Sequence, residues 1–233
     1  MSNVALIDGD LVAYRAAASC KGEDSSEIAC IRAEQTIRDI LQETSSPDYW
    51  LFLSGSSNFR YELYPDYKAN RRDVARPQWL QTVREFLLFE WKADITDGYE
   101  ADDALGIKTT ELELIGLNPI ICSLDKDLRQ VPSWHYNWVK EVLDEVDVRQ
   151  SYINFYTQLL LGDKSDNIPG FDGVSRVVPT KFLKTRIDHL LTCKNEKEMY
   201  DSIVPIYEGP LERNANLLYI WRKELDKWTP PVV

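Results

Sequence analysis

Asn3-Val4-Ala5-Leu6-Ile7-Asp8-Gly9-Asp10 is the stretch on which the fold turns. Val4 to Ile7 form an unbroken apolar run that stops at two acids and a glycine. Such a run reads as a strand of a parallel sheet, covered on both faces. A helical pattern from Leu11 to about Ser19 follows, with Asp10 as its natural N-cap, which leaves Asp8 without a structural task. Working outward, Ser26 to Glu43 carries apolar residues at helical spacing and Tyr49 to Leu53 is a second strand. Strand, helix, strand in that order implies a parallel sheet with right-handed crossovers. Ligands gather outside the carboxyl ends of the strands in such sheets.

Acids recur at those ends. Asn118 to Ser123 is a third apolar run and leads into Leu124-Asp125-Lys126-Asp127-Leu128. Between the second and third runs, Tyr99-Glu100-Ala101-Asp102-Asp103 opens a helix that ends before Gly116. An acidic first turn alone is only a well-capped helix. Repeated at several strand ends, the acids point to a shared site. Two like charges about 4 Å apart cost roughly 4 kcal/mol at an effective dielectric of about 20. Clustered carboxylates therefore need cations, and all-oxygen donors select hard ions such as Mg²⁺ or Mn²⁺. A pair of such ions suits in-line displacement at a phosphate.

Composition bounds the alternatives. The 233 residues carry a formal net charge of −11 and are 44% hydrophobic and 28% charged, enough for one substantial core. The four cysteines form no C-x-x-C pair, which argues against zinc and a disulfide framework and for a reducing compartment. Only His135 and His189 are available as histidine bases. No apolar run reaches membrane-spanning length, and no signal peptide or anchor is expected. The acidic total opposes nucleic-acid binding in general but does not govern a local patch. One such patch is Phe59-Arg60-Tyr61-Glu62-Leu63-Tyr64-Pro65-Asp66-Tyr67-Lys68-Ala69-Asn70-Arg71-Arg72, where aromatics and bases interleave as single-strand binding requires. A helix from Arg76-Pro77 to about Trp91 and a short strand at Ala93 to Thr96 follow it.

Beyond the third strand, Trp134–Val139 and Glu141–Val146 read as a strand pair or a turn and Asp147 to Leu161 as a helix. Leu161-Gly162-Asp163-Lys164-Ser165-Asp166-Asn167-Ile168-Pro169-Gly170-Phe171-Asp172-Gly173 is then a compact loop between helices, able to turn backbone groups toward phosphate or a monovalent cation. Thr180 to Leu190 and Glu196 to Lys227 are expected to be mostly helical, with a tail from Trp228.

Taken together, Leu6 to Asp10, Asn58-Phe59-Arg60, Tyr67 to Arg71, Glu100 to Asp103, Asp125 to Asp127 and Gly162 to Gly170 resemble the 5′ nuclease (flap-endonuclease) superfamily, in family order over residues 3 to 183. The likeness is greatest to the stand-alone 5′–3′ exonucleases of short-tailed bacteriophages. It implies an α/β fold: a PIN-like core with a mainly parallel central sheet flanked by helices over residues 1–146, with 54–92 as an arch-like basic and aromatic segment. A helical part over 147–233 would carry a helix–two-turn–helix element and pack on the core. By the same resemblance, Asp8, Glu100, Asp102, Asp103, Asp125, Asp127, Asp163 and Asp166 match metal ligands for two Mg²⁺ or Mn²⁺ ions. Lys68 and Arg71 match the bases that hold the scissile phosphate, and Tyr67 an aromatic that stacks on a displaced base. Arg15, Arg72, Lys164, Ser165, Asn167, Gly170, Gly173 and Ser175 are implied DNA contacts, with backbone groups of Ser165, Ile168 and Val174 around K⁺.

The implied activity is metal-dependent 5′–3′ exonuclease and 5′-flap endonuclease action in phage replication and primer removal. Its partners would be DNA with a free 5′ end, flap or nick, including RNA/DNA primer hybrids, met by a monomer in the bacterial cytoplasm away from membranes. Two departures stand out. Leu53-Ser54-Gly55-Ser56 lacks the Asp usual after the second strand, and Gly173-Val174-Ser175 replaces a Gly-x-Gly turn. A PIN-type ribonuclease would share the carboxylates, but small ones lack the Gly162–Gly170 loop and the Lys68/Arg71 pair. A DNA-junction binder weakened by the missing Asp would gain nothing from retaining the other acids.

Overall fold

Alternation along the strands decides which helix covers which face. The computed structural model describes residues 2–22, 24–72 and 74–232; Met1, Glu23, Asp73 and Val233 lie outside the described residues. Strands β1 (Asn3–Asp8), β2 (Asp48–Leu53), β3 (Asp94–Ile95), β4 (Asn118–Cys122), β5 (Ser133–Asn137) and β6 (Val142–Val146) form a single sheet in the order β3-β2-β1-β4-β5-β6. All neighbours are parallel except β6, which returns antiparallel on β5 as the sequence pairing expects. Ala5, Ile7, Leu51, Leu53, Ile120 and Cys122 turn to one face. There they meet α1 (Gly9–Ala18), α2 (Ser26–Glu43) and α4 (Leu80–Glu90) through residues such as Val12, Ile37 and Leu87. Val4, Leu6, Phe52 and Ile121 turn to the other face, against Ala104, Leu105 and Leu112 of α5 (Ala101–Leu114). Burying each such aliphatic side chain is worth about 1.5–3 kcal/mol.

Local chemistry sets the site end of these elements. Gly9 is required for closeness: a Cβ there would stand 2.5 Å from the Phe52 carbonyl oxygen, so only glycine lets α1 start tight against β2. Helix α5 stops at Gly116, whose φ of 77° is the left-handed geometry of a helix end.

The second half is a helical body. A short helix α3 (Phe59–Leu63), α6 (Val148–Leu161), the two-residue strands β7 (Gly162–Asp163) and β8 (Ile168–Pro169), α7 (Lys181–Leu190), α8 (Glu196–Ile203) and α9 (Leu211–Leu218) complete the described elements. Phe155, Tyr156, Leu159, Leu183, Met199 and Leu217 share its core. The stretch from Glu196 to Lys227, expected to be mostly helical, holds α8 and α9, and residues from Tyr219 onward are irregular. Pro205, Gly209 and Pro210 interrupt the pattern. The tail then packs against α5 and the turn after β4: Ile220 N–H donates to Gln130 (3.1 Å) and Trp221 N–H to Asp103 (3.2 Å). No helix among the described residues is long and apolar enough to cross a membrane.

Candidate active site

The carboxyl ends of β1, β2 and β4 and the start of α5 converge with the Gly162–Gly170 loop. Asp8 ends β1 and is 3% exposed. Its Oδ1 accepts from Leu11 N–H (3.0 Å) and its Oδ2 from the Ser123 hydroxyl (2.7 Å). Asp8, not Asp10, is thus the N-cap of α1, which corrects the expectation that it has no structural role. Burial, then the charge of Asp10, lifts the Asp8 carboxyl to about 7. Asp102 is lifted well above the usual carboxylate range by burial and by Asp8 and Asp125. Asp127 reaches about 7 through burial and the neighbouring Asp125. Ser123, which also accepts from Asp125 N–H (3.0 Å), thereby ties two of these acids together.

On the loop side, Asp163 is buried, and its Oδ1 accepts from Asp166 N–H (2.9 Å). Burial alone would raise its pKa, but that N–H and Lys126 hold it below the ordinary value. Burial lifts Asp166, against the charges of Lys68 and Arg71. Glu100, at the head of α5, shows the reverse balance: Lys68 and Arg60 outweigh its burial and keep it ionised. Each of the raised acids feels at least one other carboxylate. Among the described residues, though, no three are drawn together closely enough to chelate an ion unaided.

Asp103 does not face this group. It is 0% exposed, and both oxygens accept from the Arg60 guanidinium, at 2.6 and 2.9 Å. It also takes the N–H groups of Glu100 (3.1 Å) and Trp221 (3.2 Å). The geometry makes it the buried anchor of α5 rather than a metal ligand. Arg60 in turn donates to the Leu217 and Tyr219 carbonyls, so one ion pair joins α3, α5, the end of α9 and the tail. Nothing in the sequence around Arg60 marks this role, because its partner lies 43 positions away.

Lys68 and Arg71 lie beside the acids. Lys68 Nζ pairs with Glu100 and stands 3.7 Å from Asp166, while Arg71 Nη2 reaches Asp166 at 2.5 Å. Lys68 holds a left-handed φ of 53°, uncommon for a side chain with a Cβ, and its N–H donates to the Asp166 carbonyl (2.9 Å). Tyr67 departs from expectation. At 1% exposure it cannot stack on a base; its hydroxyl stands 2.9 Å from both Glu100 and Asp166. Asn70 Nδ2 to Lys164 O (2.7 Å), Arg71 Nε to Ser165 O (2.9 Å) and Asn167 Nδ2 to Asp66 O (2.8 Å) complete a latch between the basic segment and the loop.

The remaining implied DNA contacts divide. Arg15, Arg72, Lys164 and Gly173 are exposed, and Ser175 is half-buried. Gly170 is buried, and a Cβ there would meet the Leu160 carbonyl oxygen at 2.6 Å, so it serves loop packing rather than DNA contact. The carbonyls expected around K⁺ are partly engaged within the chain. Val174 O already accepts from Gly170 N–H (3.3 Å) and from Arg176 Nη1 (3.0 Å), with Arg176 paired to Asp172. Ser165 O is taken by Arg71, and Ile168 is buried. Two of those carbonyls thus already accept from guanidinium groups of the chain.

At the missing Asp, Ser54 Oγ accepts from Ala101 N–H (2.9 Å), so a hydroxyl caps α5 there. Beside it opens a cavity of about 940 Å³, whose lining includes Tyr14, Lys68, Arg71, Arg72, Arg76 and Arg84. In an acidic protein this is a concentrated basic surface next to the carboxylate row.

Comparison with known proteins agrees with this geometry. The chain is 29% identical over 242 residues to a 5′-3′ exonuclease of Buchnera aphidicola subsp. Schizaphis graminum, covering 96% of this chain and 82% of that one. It is 30% identical over 203 residues to DNA polymerase I of Bacillus caldotenax, across 77% of this chain but 23% of the polymerase. The fold matches the T5 D15 protein co-crystallised with metal ions, with a TM-score of 0.67 at 17% identity over 93% of this chain and 88% of that one. Residues 3–154, which hold the whole sheet and most of its carboxylate edge, match the family model of the 5′-3′ exonuclease N-terminal, resolvase-like domain, and the chain belongs to that family.

Proposed function

We propose that this nuclease hydrolyses DNA phosphodiesters at a free 5′ end, 5′ flap or nick, with Mg²⁺ or Mn²⁺ and by a two-metal route. The observation that carries the proposal is the row of buried and half-buried, mutually repelling carboxylates against a basic cavity. Asp8 is lifted to about 7 with no cation among the described residues beside it; Asp127, although Lys126 pairs with it, still reaches about 7, and Asp102 stays well above its usual range against the charge of Lys68. An all-oxygen donor set of this kind fits hard divalent cations. Asp8, Glu100, Asp102 and Asp125 would hold them on the sheet side, and Asp127, Asp163 and Asp166 on the loop side. Bound there, the ions supply activation of the attacking water and charge for the leaving oxygen.

The chain's own residues do the rest. Lys68 and Arg71, now paired with Glu100 and Asp166, present charged donors where a phosphate oxygen can replace a carboxylate. The cavity beside them receives the single strand at the 5′ end, with Tyr14 and Tyr61 in its wall. Exposed Lys164 and the turn at Gly173 offer contacts to the duplex. In a cell, these properties fit primer removal during DNA replication, with RNA/DNA hybrids among the substrates.

The test is a substrate panel with purified protein and Mg²⁺ or Mn²⁺: flapped, nicked and recessed DNA, their RNA-flap versions, and closed circular DNA. Cleavage confined to molecules with a 5′ end is expected. Equal attack on closed circles would sink the reading, and cleavage of RNA alone would favour a ribonuclease.

A further inference from the structure

Asp10 and Arg84 belong neither to the carboxylate row nor to the Lys68–Arg71 segment, yet they are built into the wall of the same cavity. Arg84 Nη1 pairs with Asp10 Oδ1, and its Nη2 donates to the Ser54 carbonyl (2.6 Å). Asp10 Oδ2 accepts from Ser54 N–H (2.9 Å). The ring so formed joins the first turn of α1, the end of β2 and the middle of α4. It holds the guanidinium in one orientation with its side chain 23% exposed. Arginine carries five N–H donors, and the Arg84 donors not used in this ring have no partner among the described residues.

We propose that Arg84 contacts a backbone phosphate of the 5′ single strand in this cavity, as a specificity-determining residue for flapped over flapless DNA. The inference rests on the proposed function and deepens it. An unpaired arginine beside a divalent-cation site would repel the ions. Paired with Asp10 it adds no net charge, yet it keeps directed N–H donors pointing into the cavity. The small polar run Ser54, Gly55, Ser56 and Ser57 lines the same space and leaves room for a strand to pass close to the guanidinium. Like Lys68 and Arg71, which engage Glu100 and Asp166, Arg84 is held by a carboxylate and keeps N–H donors free for an acceptor. A tie between helices alone would need neither this exposure nor a side chain with donors to spare.

The experiment measures binding of 3′-labelled DNA with a short 5′ flap, and of the same nicked duplex without a flap, over a range of salt in EDTA. For Arg84→Gln, the slope of log K against log salt on flapped DNA should fall by about 0.7, the value for one single-strand phosphate. The flapless slope should not move. An unchanged flap slope, or an equal fall on both DNAs, overturns the proposal. If Arg84→Gln does not fold, Arg84→Lys is tested with a flap carrying one uncharged methylphosphonate. The methylphosphonate should weaken wild-type binding more than it weakens the Lys variant, and an equal penalty overturns the proposal. Wild-type protein that cleaves neither DNA with Mg²⁺ sinks the proposed function itself. Wild-type cleavage with an unmoved Arg84→Gln slope removes only the role of Arg84.

Discussion

At the scale of single residues, three adjacent-looking acids have different fates. Glu100 is kept ionised by Lys68 and Arg60, Asp102 is pushed toward neutrality, and Asp103 is fully buried in a two-pronged ion pair. Removing one member of a buried, hydrogen-bonded pair strands the other charge, at a cost of about 3–5 kcal/mol. Asp103→Ala is therefore expected to lose about that much in denaturant unfolding; a variant as stable as wild type would contradict its anchoring role. That division was not legible in the sequence. A motif such as Glu100-Ala101-Asp102-Asp103 shows which residues are acidic, but the partner that separates them, Arg60, is brought in by the tertiary fold. The same limit hid the exchange between Asp8 and Asp10. Either acid suits an N-cap by composition, and only the start of α1 against β2 selects Asp8. Tyr67 is hidden from sequence for a related reason: a tyrosine in a basic segment looks available for stacking, and the core of the helical body that buries it is assembled only by the fold.

At the scale of elements, the strands were the readable part. Apolar runs ending in acids identified β1, β2 and β4, because a strand covered on both faces has no alternative pattern. Helix α5 was marked by its acidic start and Gly116. The tail from Tyr219 was not, since its backbone bonds to Gln130 and Asp103 leave no periodicity in the side chains. The loop between α6 and α7 was located correctly, but its internal chemistry was not. Arg176 and Arg71 take the Val174 and Ser165 carbonyls that a potassium ion would need. Exchanging KCl for NaCl at constant ionic strength should therefore change duplex affinity less than about twofold, well under 1 kcal/mol. A strong, selective gain with K⁺, measured by fluorescence anisotropy, would contradict the assignment of those carbonyls.

At the scale of the molecule, the carboxylate row couples stability, protons and cations. Asp8 and Asp127 titrate near 7 when folded, against 3.8 for an unperturbed carboxyl. Between those values the folded chain binds more protons than the unfolded one, so metal-free stability should fall as pH rises through that window. A divalent cation that binds only the folded, ionised site reverses the loss. At about 100 times Kd it adds about 2.7 kcal/mol, or about 5–10 °C in Tm for a domain of this size. Melting curves in EDTA and in Mn²⁺ across pH check both signs; a metal-free Tm that climbs from pH 5 to 7.5 would contradict them. The net charge of −11 belongs to this scale as well: much of it is concentrated where cations would cancel it, which is why composition alone argued against a DNA partner. The central claim is that this row performs metal-dependent cleavage at 5′ ends, and single-turnover cleavage of a 5′-flap DNA by wild type and Asp102→Asn tests it most directly. The account predicts release that requires Mg²⁺ or Mn²⁺ and falls by about three orders of magnitude in the variant, roughly 4 kcal/mol of transition-state stabilisation, while DNA binding persists. Cleavage that survives EDTA, or an Asp102→Asn protein as fast as wild type, would contradict it.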